Sequence, residues 1–343
     1  MASPPSPSSA APTAGAPVAI VSGANSGIGL AACVALASAG HIVYAGMRAG
    51  ASADALLAAV AAAAGPATNA DGTTDAGLSS PSVGAVHVLR MDVGADASVT
   101  AAVASVLAAT ADRVDVVVAN AGYGAIANVE DASVADFEAI LNVNFLGALR
   151  LVKAALPSMR RRRSGRVVGI SSVVGLLGWP FYGPYSASKF AMEGLWESCF
   201  SEYKGLDVHF VLVEPGPVRT GVASRAFIGR SPPTDIKPAW DTFLSTKMPA
   251  MAAAAQTADE CAAYILRAVT DPSPALRYMT HPSQGALLRA KVTDLDGAGA
   301  AAALLSMVQG PAGGGDDRRP AEAQHGTDAA VPGESGGGVE GLD

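Results

Sequence analysis

The sequence predicts a single doubly wound α/β domain, with about seven parallel strands and helices on both faces, and three observations carry that expectation. Short apolar runs alternate with helical periodicity from Val18 to Met279. A glycine-rich turn, Ser22-Gly23-Ala24-Asn25-Ser26-Gly27-Ile28-Gly29, stands at the first strand-to-helix junction. Polar residues gather at the ends of later strands, the edge at which ligands bind in an open parallel sheet.

Taken in order, Val18 to Val21 reads as the first strand and Leu30 to Ala39 as a helix closed by Gly40. Glycines at 23, 27 and 29 let the backbone turn tightly and let a phosphate approach the helix N-terminus, where Asn25, Ser26 and Ile28 complete the turn. His41 to Gly46 reads as the second strand. An acid that would bind adenine-ribose hydroxyls is missing after it; Arg48 stands there instead. Arg48 can pair with a 2′-phosphate, with Ser26 as a second donor, so NADP(H) is preferred over NAD(H). A surface arginine after a strand is the alternative.

Ala51 to Ala64 reads as an alanine-rich helix, and 65–84 as a loop insertion without assignable chemistry. Ala85 to Leu89 is the third strand. It leads to Asp92 and Val93, where Asp92 either meets an adenine or serves its own turn. After a helix from Ala97 to Ala109, Val114 to Val118 is the fourth strand, ending in Asn120-Ala121-Gly122, small enough to pass close to a cofactor ribose.

Ser133 to Met159 is helical and holds a polar pair, Asn142 and Asn144, that must be satisfied by the protein or by a task in a site. Arg160 to Arg163 reads as a solvated helix end complementing the dipole. Arg166 to Ile170 is the fifth strand and delivers Ser171 and Ser172 to the ligand edge. Trp179-Pro180-Phe181-Tyr182 is either a pocket wall or packing under a loop.

Tyr185 and Lys189 then stand four apart at the start of a helix running to Lys204, on one helical face. A lysine ammonium beside a phenol is expected to lower its pKa and make it a useful proton donor or acceptor. Val208 to Val213 is the sixth strand, followed by a Pro-Gly turn in which Pro215, Gly216 and Val218 face the ligand side. The irregular stretch 221–255, with Pro232, Pro233, Pro238 and Trp240 among short helical pieces, suits a substrate lid, Thr257 to Val269 is a helix, and Leu276 to Met279 a short seventh strand.

Composition narrows the partners. The 343 residues are half hydrophobic and carry a formal net charge of −7, which offers no basic field for nucleic acid. Cys33, Cys199 and Cys261 are widely spaced in apolar helical patterns and read as buried reduced thiols, with no metal site; a cytoplasmic compartment fits. Residues 1–16 read as a disordered leader and 309–343 as a disordered Gly/Pro-rich acidic tail, leaving 17–308 as the catalytic domain. No transmembrane segment is expected, because polar and glycine residues break the uncharged run before Arg48, while peripheral membrane contact stays open.

On these residues the chain resembles a short-chain dehydrogenase/reductase with a Rossmann fold. The resemblance rests on the turn at Gly23, Gly27 and Gly29, on Asn120-Ala121-Gly122 and on the set Ser172, Tyr185 and Lys189. Ser164-Gly165-Arg166, Ser186 to Gly194 and Leu276-Arg277-Tyr278 are similar to the branch of the 17β-hydroxysteroid dehydrogenase type 1 and retinol dehydrogenase enzymes. Ser22 in place of a threonine, Ala119, the 65–84 insertion and the lid sequence depart from the family pattern.

The resemblance implies an NADP(H)-dependent oxidoreductase that interconverts a lipophilic ketone or aldehyde and its alcohol. It implies Tyr185 as general acid or base, Lys189 lowering the tyrosine pKa and bonding the nicotinamide ribose, Ser172 holding the substrate oxygen and Asn144 keeping a relay water. It also implies a homodimer through the helices over 133–159 and 185–204. Two alternatives stay open: an acyl-dihydroxyacetone-phosphate-type reductase, and an NADP-sensing interaction protein without turnover.

Overall fold

Five residues, Val18–Ser22, form strand β1, and all five are buried, so both faces of the strand are covered. That is the signature of a parallel sheet between helical layers. The computed structural model describes residues 15–64, 66–68, 74–79, 84–220, 227–229, 232–294 and 296–309. The expected tail from 310, most of the leader, parts of the 65–84 insertion and lid residues 221–226, 230 and 231 lie outside the described residues.

The other strands of the main sheet are β2 (Ile42–Met47), β3 (Val86–Arg90), β4 (Val116–Ala119), β5 (Gly165–Ile170), β6 (Val208–Glu214) and β7 (Arg277–Met279). All six neighbour pairs are parallel, in the order β7-β6-β5-β4-β1-β2-β3. The order reverses between β1 and β4, and that switch point is where an open sheet leaves a crevice. The fold is the expected Rossmann-type sheet.

Alternation along β1 divides the core. Val18 and Ile20 face one layer, with α3 (Asp96–Ala109), α4 (Val134–Arg162) and α5 (Gly183–Tyr203) supplying Val103, Leu151 and Trp196. Ala19 and Val21 face the other layer, where α1 (Gly27–Ser38), α2 (Asp54–Ala64) and α6 (Ala258–Thr270) supply Leu36, Leu56 and Ile265. Helix starts follow capping chemistry: Ser133 and Asp136 form a capping box on α4, Thr257 and Glu260 another on α6, and Pro184 stands in the first turn of α5.

Several expectations are corrected. Helix α1 begins at Gly27, inside the glycine turn, because Ser26 adopts extended N-cap geometry. The arginine block is not merely solvated: Arg161 pairs with Asp112 at 2.7 Å and Arg162 with Asp115 at 2.8 Å. Cys199 is half-buried, whereas Cys33 and Cys261 are buried. The lid stretch does carry short helical pieces, Lys237–Thr242, Phe243–Lys247 and Met248–Ala253, and two helices that the sequence reading did not mark, Pro282–Thr293 and Ala298–Leu305, follow β7.

Among the described residues α4 alone is long and apolar enough, by length and composition, to cross a membrane. Its buried residues Leu151, Val152, Ala155 and Met159 form part of the sheet's core.

Candidate active site

The glycine turn is a close-packed cradle. Gly23 and Gly27 have φ of +69° and +56°, a region that β-carbons disfavour. At Gly29 an added Cβ would lie 2.3 Å from Gly23 O and 2.5 Å from Asn120 Nδ2. Behind it, Ser22 Oγ accepts the backbone N–H groups of Asn120 and Ala121, each at 3.0 Å, and Asn120 Nδ2 donates to Ser22 O at 2.8 Å. Ser22, where the resemblance had marked a departure, thus ties the end of β1 to the end of β4. Gly29→Ala is expected to abolish measurable dinucleotide binding while the folded protein still melts cooperatively; fluorescence titration with the cofactor checks this.

This cradle, with its first-turn N–H groups at α1, fits a dinucleotide pyrophosphate. Thr220, at the end of the turn after β6, approaches the same place, since a Cβ on Gly27 would meet its side chain at 3.1 Å. Within that turn, Pro215 O accepts from Val173 N at 3.0 Å and Val218 bridges Gln256. A Cβ on Gly216 would meet Gln284 Nε2 at 3.2 Å.

On the far side of the cradle a cleft of about 690 Å³ is lined by residues that include Asn25, Arg48, Arg90, Asp92 and Ser98. Asp92 serves its own turn, accepting Gly94 N at 2.9 Å through Oδ1, and Val93 is buried. Arg90 escaped sequence reading, although its place at the end of a strand was the available signal.

Tyr185, Lys189 and Ser172 come together at the ends of β5 and α5. Ser172 is the N-cap of a 3₁₀ turn, Val173–Gly175, and hydrogen-bonds the Tyr185 phenol. Its neighbour Ser171 points elsewhere: a Cβ on Gly175 would lie 2.7 Å from Ser171 Oγ and 3.2 Å from Glu193 Cγ. Successive residues leaving a strand face opposite ways, so Ser172 and not Ser171 meets the tyrosine.

Lys189 donates from Nζ to Ile170 O at 2.7 Å, and Nζ lies 5.7 Å from the centre of the Tyr185 ring. The expected lowering of the tyrosine pKa is not what this geometry produces. Burial pushes the Tyr185 phenol up to about 12, outweighing the Ser172 hydrogen bond, and Tyr182 adds to the rise. Burial also lowers Lys189 to about 8, with Glu193 opposing it. The phenol is therefore held neutral, as a proton donor.

Asn144 is fully buried in a π-helical segment of α4, Asn142–Leu146. Its Nδ2 donates to Tyr123 O at 3.0 Å and Ser188 Oγ at 3.1 Å, and its Oδ1 accepts Tyr123 N at 3.0 Å. A Cβ on Gly122 would lie 2.9 Å from that oxygen. The side chain locks the strand-end loop to α5. Asn142 makes a packing bond of its own, its Oδ1 accepting from Arg150 Nη2 at 2.8 Å.

Aromatic rings wall the approach to Tyr185. Phe181, at φ +63°, stacks edge-on against Trp240 at 5.1 Å, and Tyr182 lies 6.2 Å from Tyr185 and 6.0 Å from Phe243. The loop is thus both packing for the lid helix and a flank of the tyrosine. A second cavity of about 350 Å³, bordered by Trp179, Phe181, Val129, Ala239 and Asn128 among others, has no lysine or arginine in its lining among the described residues.

A dinucleotide cradle at the switch point of a parallel sheet, with a serine, a tyrosine and a lysine on the same edge, defines an oxidoreductase class. The family model for the short chain dehydrogenase matches residues 17–229. Human 17-beta-hydroxysteroid dehydrogenase type 1 is 34% identical over 304 residues, covering 85% of this chain and 86% of that protein. Human retinol dehydrogenase 8 is 34% identical over 289 residues, covering 81% and 86%. A short-chain dehydrogenase structure from Streptomyces avermitilis superposes with a TM-score of 0.68 at 26% identity, covering 86% of this chain and 98% of that one. The chain belongs to the short-chain dehydrogenase family, whose members use nicotinamide cofactors.

Proposed function

We propose that this protein is an NADP(H)-dependent oxidoreductase that interconverts a lipophilic ketone or aldehyde and the corresponding alcohol, of steroid, retinoid or lipid-derived type. The observation that carries the proposal is the convergence of Ser172, neutral Tyr185 and Lys189 beside an aromatic wall. The similarity to a hydroxysteroid and a retinol dehydrogenase supports the substrate class. Arg48, in a cleft without an acid positioned for ribose hydroxyls, supports NADP(H).

The nicotinamide, when bound, supplies or accepts the hydride at the substrate carbon. In reduction the Tyr185 O–H gives its proton to the substrate oxygen, while Ser172 holds that oxygen by a hydrogen bond and favours its developing charge. Lys189 keeps a positive charge under the phenol. Asn144 orders the loop and α5 around them, and its Oδ1, which accepts one hydrogen bond from Tyr123 N, keeps a second lone pair for a relay water. In oxidation the substrate hydroxyl proton would pass to Tyr185 only after the phenol has given its own proton to solvent, so the raised pKa favours the reductive direction.

The described lining of the second cavity supports an apolar substrate over an acyl-dihydroxyacetone-phosphate, which would need converging cations beyond Arg219, Arg225 and Arg230; the last two lie outside the described residues. The reading also includes a homodimer through α4 and α5, whose Leu146 and Phe190 are exposed, and a cytoplasmic protein with reduced cysteines.

A panel of steroid, retinoid and lipid carbonyls with NADPH and NADH tests the proposal. Turnover on an apolar carbonyl with NADPH preferred is the expected result. NADPH binding without turnover on any member would instead favour the sensing protein, and turnover confined to a phosphate-bearing ketone the alternative reductase.

A further inference from the structure

Two guanidinium groups, Arg48 and Arg90, line the 690 Å³ cleft. Arg90 ends β3, paired in register with Met47 of β2. From there one guanidinium nitrogen, Nη1, donates to Arg48 O at 3.1 Å and to Ala51 O at 2.8 Å. Both carbonyls belong to the turn that follows β2, which Ala51 N closes onto Arg48 O at 3.1 Å and in which Gly50 takes a φ of +81°. Arg90 therefore fastens the turn that presents Arg48 and leaves the rest of its planar fork at the cleft.

The charge balance of the cleft is unusual for this chain. Its formal net charge is −7, yet the cleft brings two cations together against the single carboxylate of Asp92, which is turned back onto Gly94 N. Among the described residues, the arginines that form ion pairs are 113, 150, 161, 162 and 277; neither Arg48 nor Arg90 is matched by a carboxylate. Two such groups lining one cleft suit a dianion with several acceptor oxygens better than a neutral ribose.

We infer that Arg90 is a cofactor-specificity residue, forming with Arg48 a two-guanidinium seat for a phosphate monoester on the 2′ position of an adenosine ribose. The inference rests on the NADP(H) reading and adds to it a residue from the neighbouring strand. Arg90 acts in two ways at once. It lends charge to the seat, and it holds the backbone of Arg48 in place.

Direct binding of adenosine 2′,5′-bisphosphate and adenosine 5′-diphosphate by calorimetry separates the two claims, with no turnover involved. Wild-type protein is expected to prefer the bisphosphate. Arg90→Ala is expected to weaken the bisphosphate by about 10- to 100-fold and the 5′-diphosphate by less than about threefold. Arg90→Lys, which keeps charge but loses the fork, is expected to fall between, with melting curves confirming that each variant is folded. A preference lost in Arg48→Ala but intact in Arg90→Ala would overturn the role of Arg90 and leave the NADP(H) reading standing. No preference in the wild type would overturn both.

Discussion

Tyr185→Phe is expected to lower turnover by about 10²- to 10⁴-fold, with cofactor affinity and melting temperature close to those of the wild type. The substitution removes one oxygen, the atom that carries the transferred proton, and leaves the ring against Tyr182. The Ser172 hydroxyl loses one partner but keeps its bond to Pro215 O. A loss confined to kcat in steady-state assays is the signature of proton transfer. A variant with wild-type kcat would remove Tyr185 from the chemistry.

The pH dependence of the wild type follows from the same groups. Because burial holds Tyr185 near 12, its proton is available for reduction across the whole neutral range. Lys189, lowered to about 8 by burial, loses its charge within reach of assay conditions. Reduction is therefore expected to decline above about pH 8 on the titration of the lysine, while the tyrosine is still protonated. A decline that persists unchanged in Lys189→Met would assign the limb to another group.

Arg277→Met is expected to destabilise the fold by about 3–5 kcal/mol at pH 8, seen as a fall in melting temperature of roughly 5–15 °C. Arg277 reaches from β7 to Glu193 and Glu197 on α5 and to Glu214 at the end of β6. The Glu214 side chain is 0% exposed and that of Glu193 7%, so removing the guanidinium strands buried carboxylates under the lysine end of the site. Glu197 is more than half exposed and adds little.

The sign of the pH effect follows from Glu214. Burial, then Glu193, raises its carboxyl to about 7, while Arg277 opposes them. Between the ordinary carboxylate range and about pH 7 the folded protein therefore binds a proton that the unfolded chain does not. Its contribution is full below that window and is lost as pH rises through it. Melting temperature should fall from pH 5 to pH 8 in the wild type and fall less in Glu214→Gln. The damage from Arg277→Met should shrink at pH 5, where the stranded carboxyls are protonated.

The cradle and the Ser172, Tyr185 and Lys189 set were legible because local spacing encodes them. Glycines at 23, 27 and 29 mark a turn, and the four-position step from Tyr185 to Lys189 puts both on one helix face. The alternation of elements announced a parallel sheet of about seven strands, while their order in the sheet came only with the fold. Other features were hidden because their partners are distant in sequence. Arg277 meets Glu193, 84 residues away, and Ser22 meets Asn120, 98 residues away.

Burial was the second hidden quantity. Spacing predicts that Lys189 draws the tyrosine pKa down, but desolvation of the phenol is the larger effect and reverses the direction. The lid's short helical pieces were legible, and Pro238 takes the first turn of the Lys237–Thr242 helix, where a missing N–H costs nothing; their exact bounds were not. Asn144 was noticed as an anomaly in an apolar helix, but which of its bonds go to Tyr123 and Ser188 depends on a loop and a helix that only the fold brings together.

The most direct test is isotopic. Purified protein is incubated with a lipophilic ketone and NADPH carrying deuterium at the transferable nicotinamide position, and the product is analysed by mass spectrometry. The account predicts an alcohol with deuterium on the former carbonyl carbon, formed by the wild type and reduced in Tyr185→Phe by the factor given above. Product without deuterium, or equal formation by both proteins, would contradict hydride transfer coupled to proton donation by Tyr185.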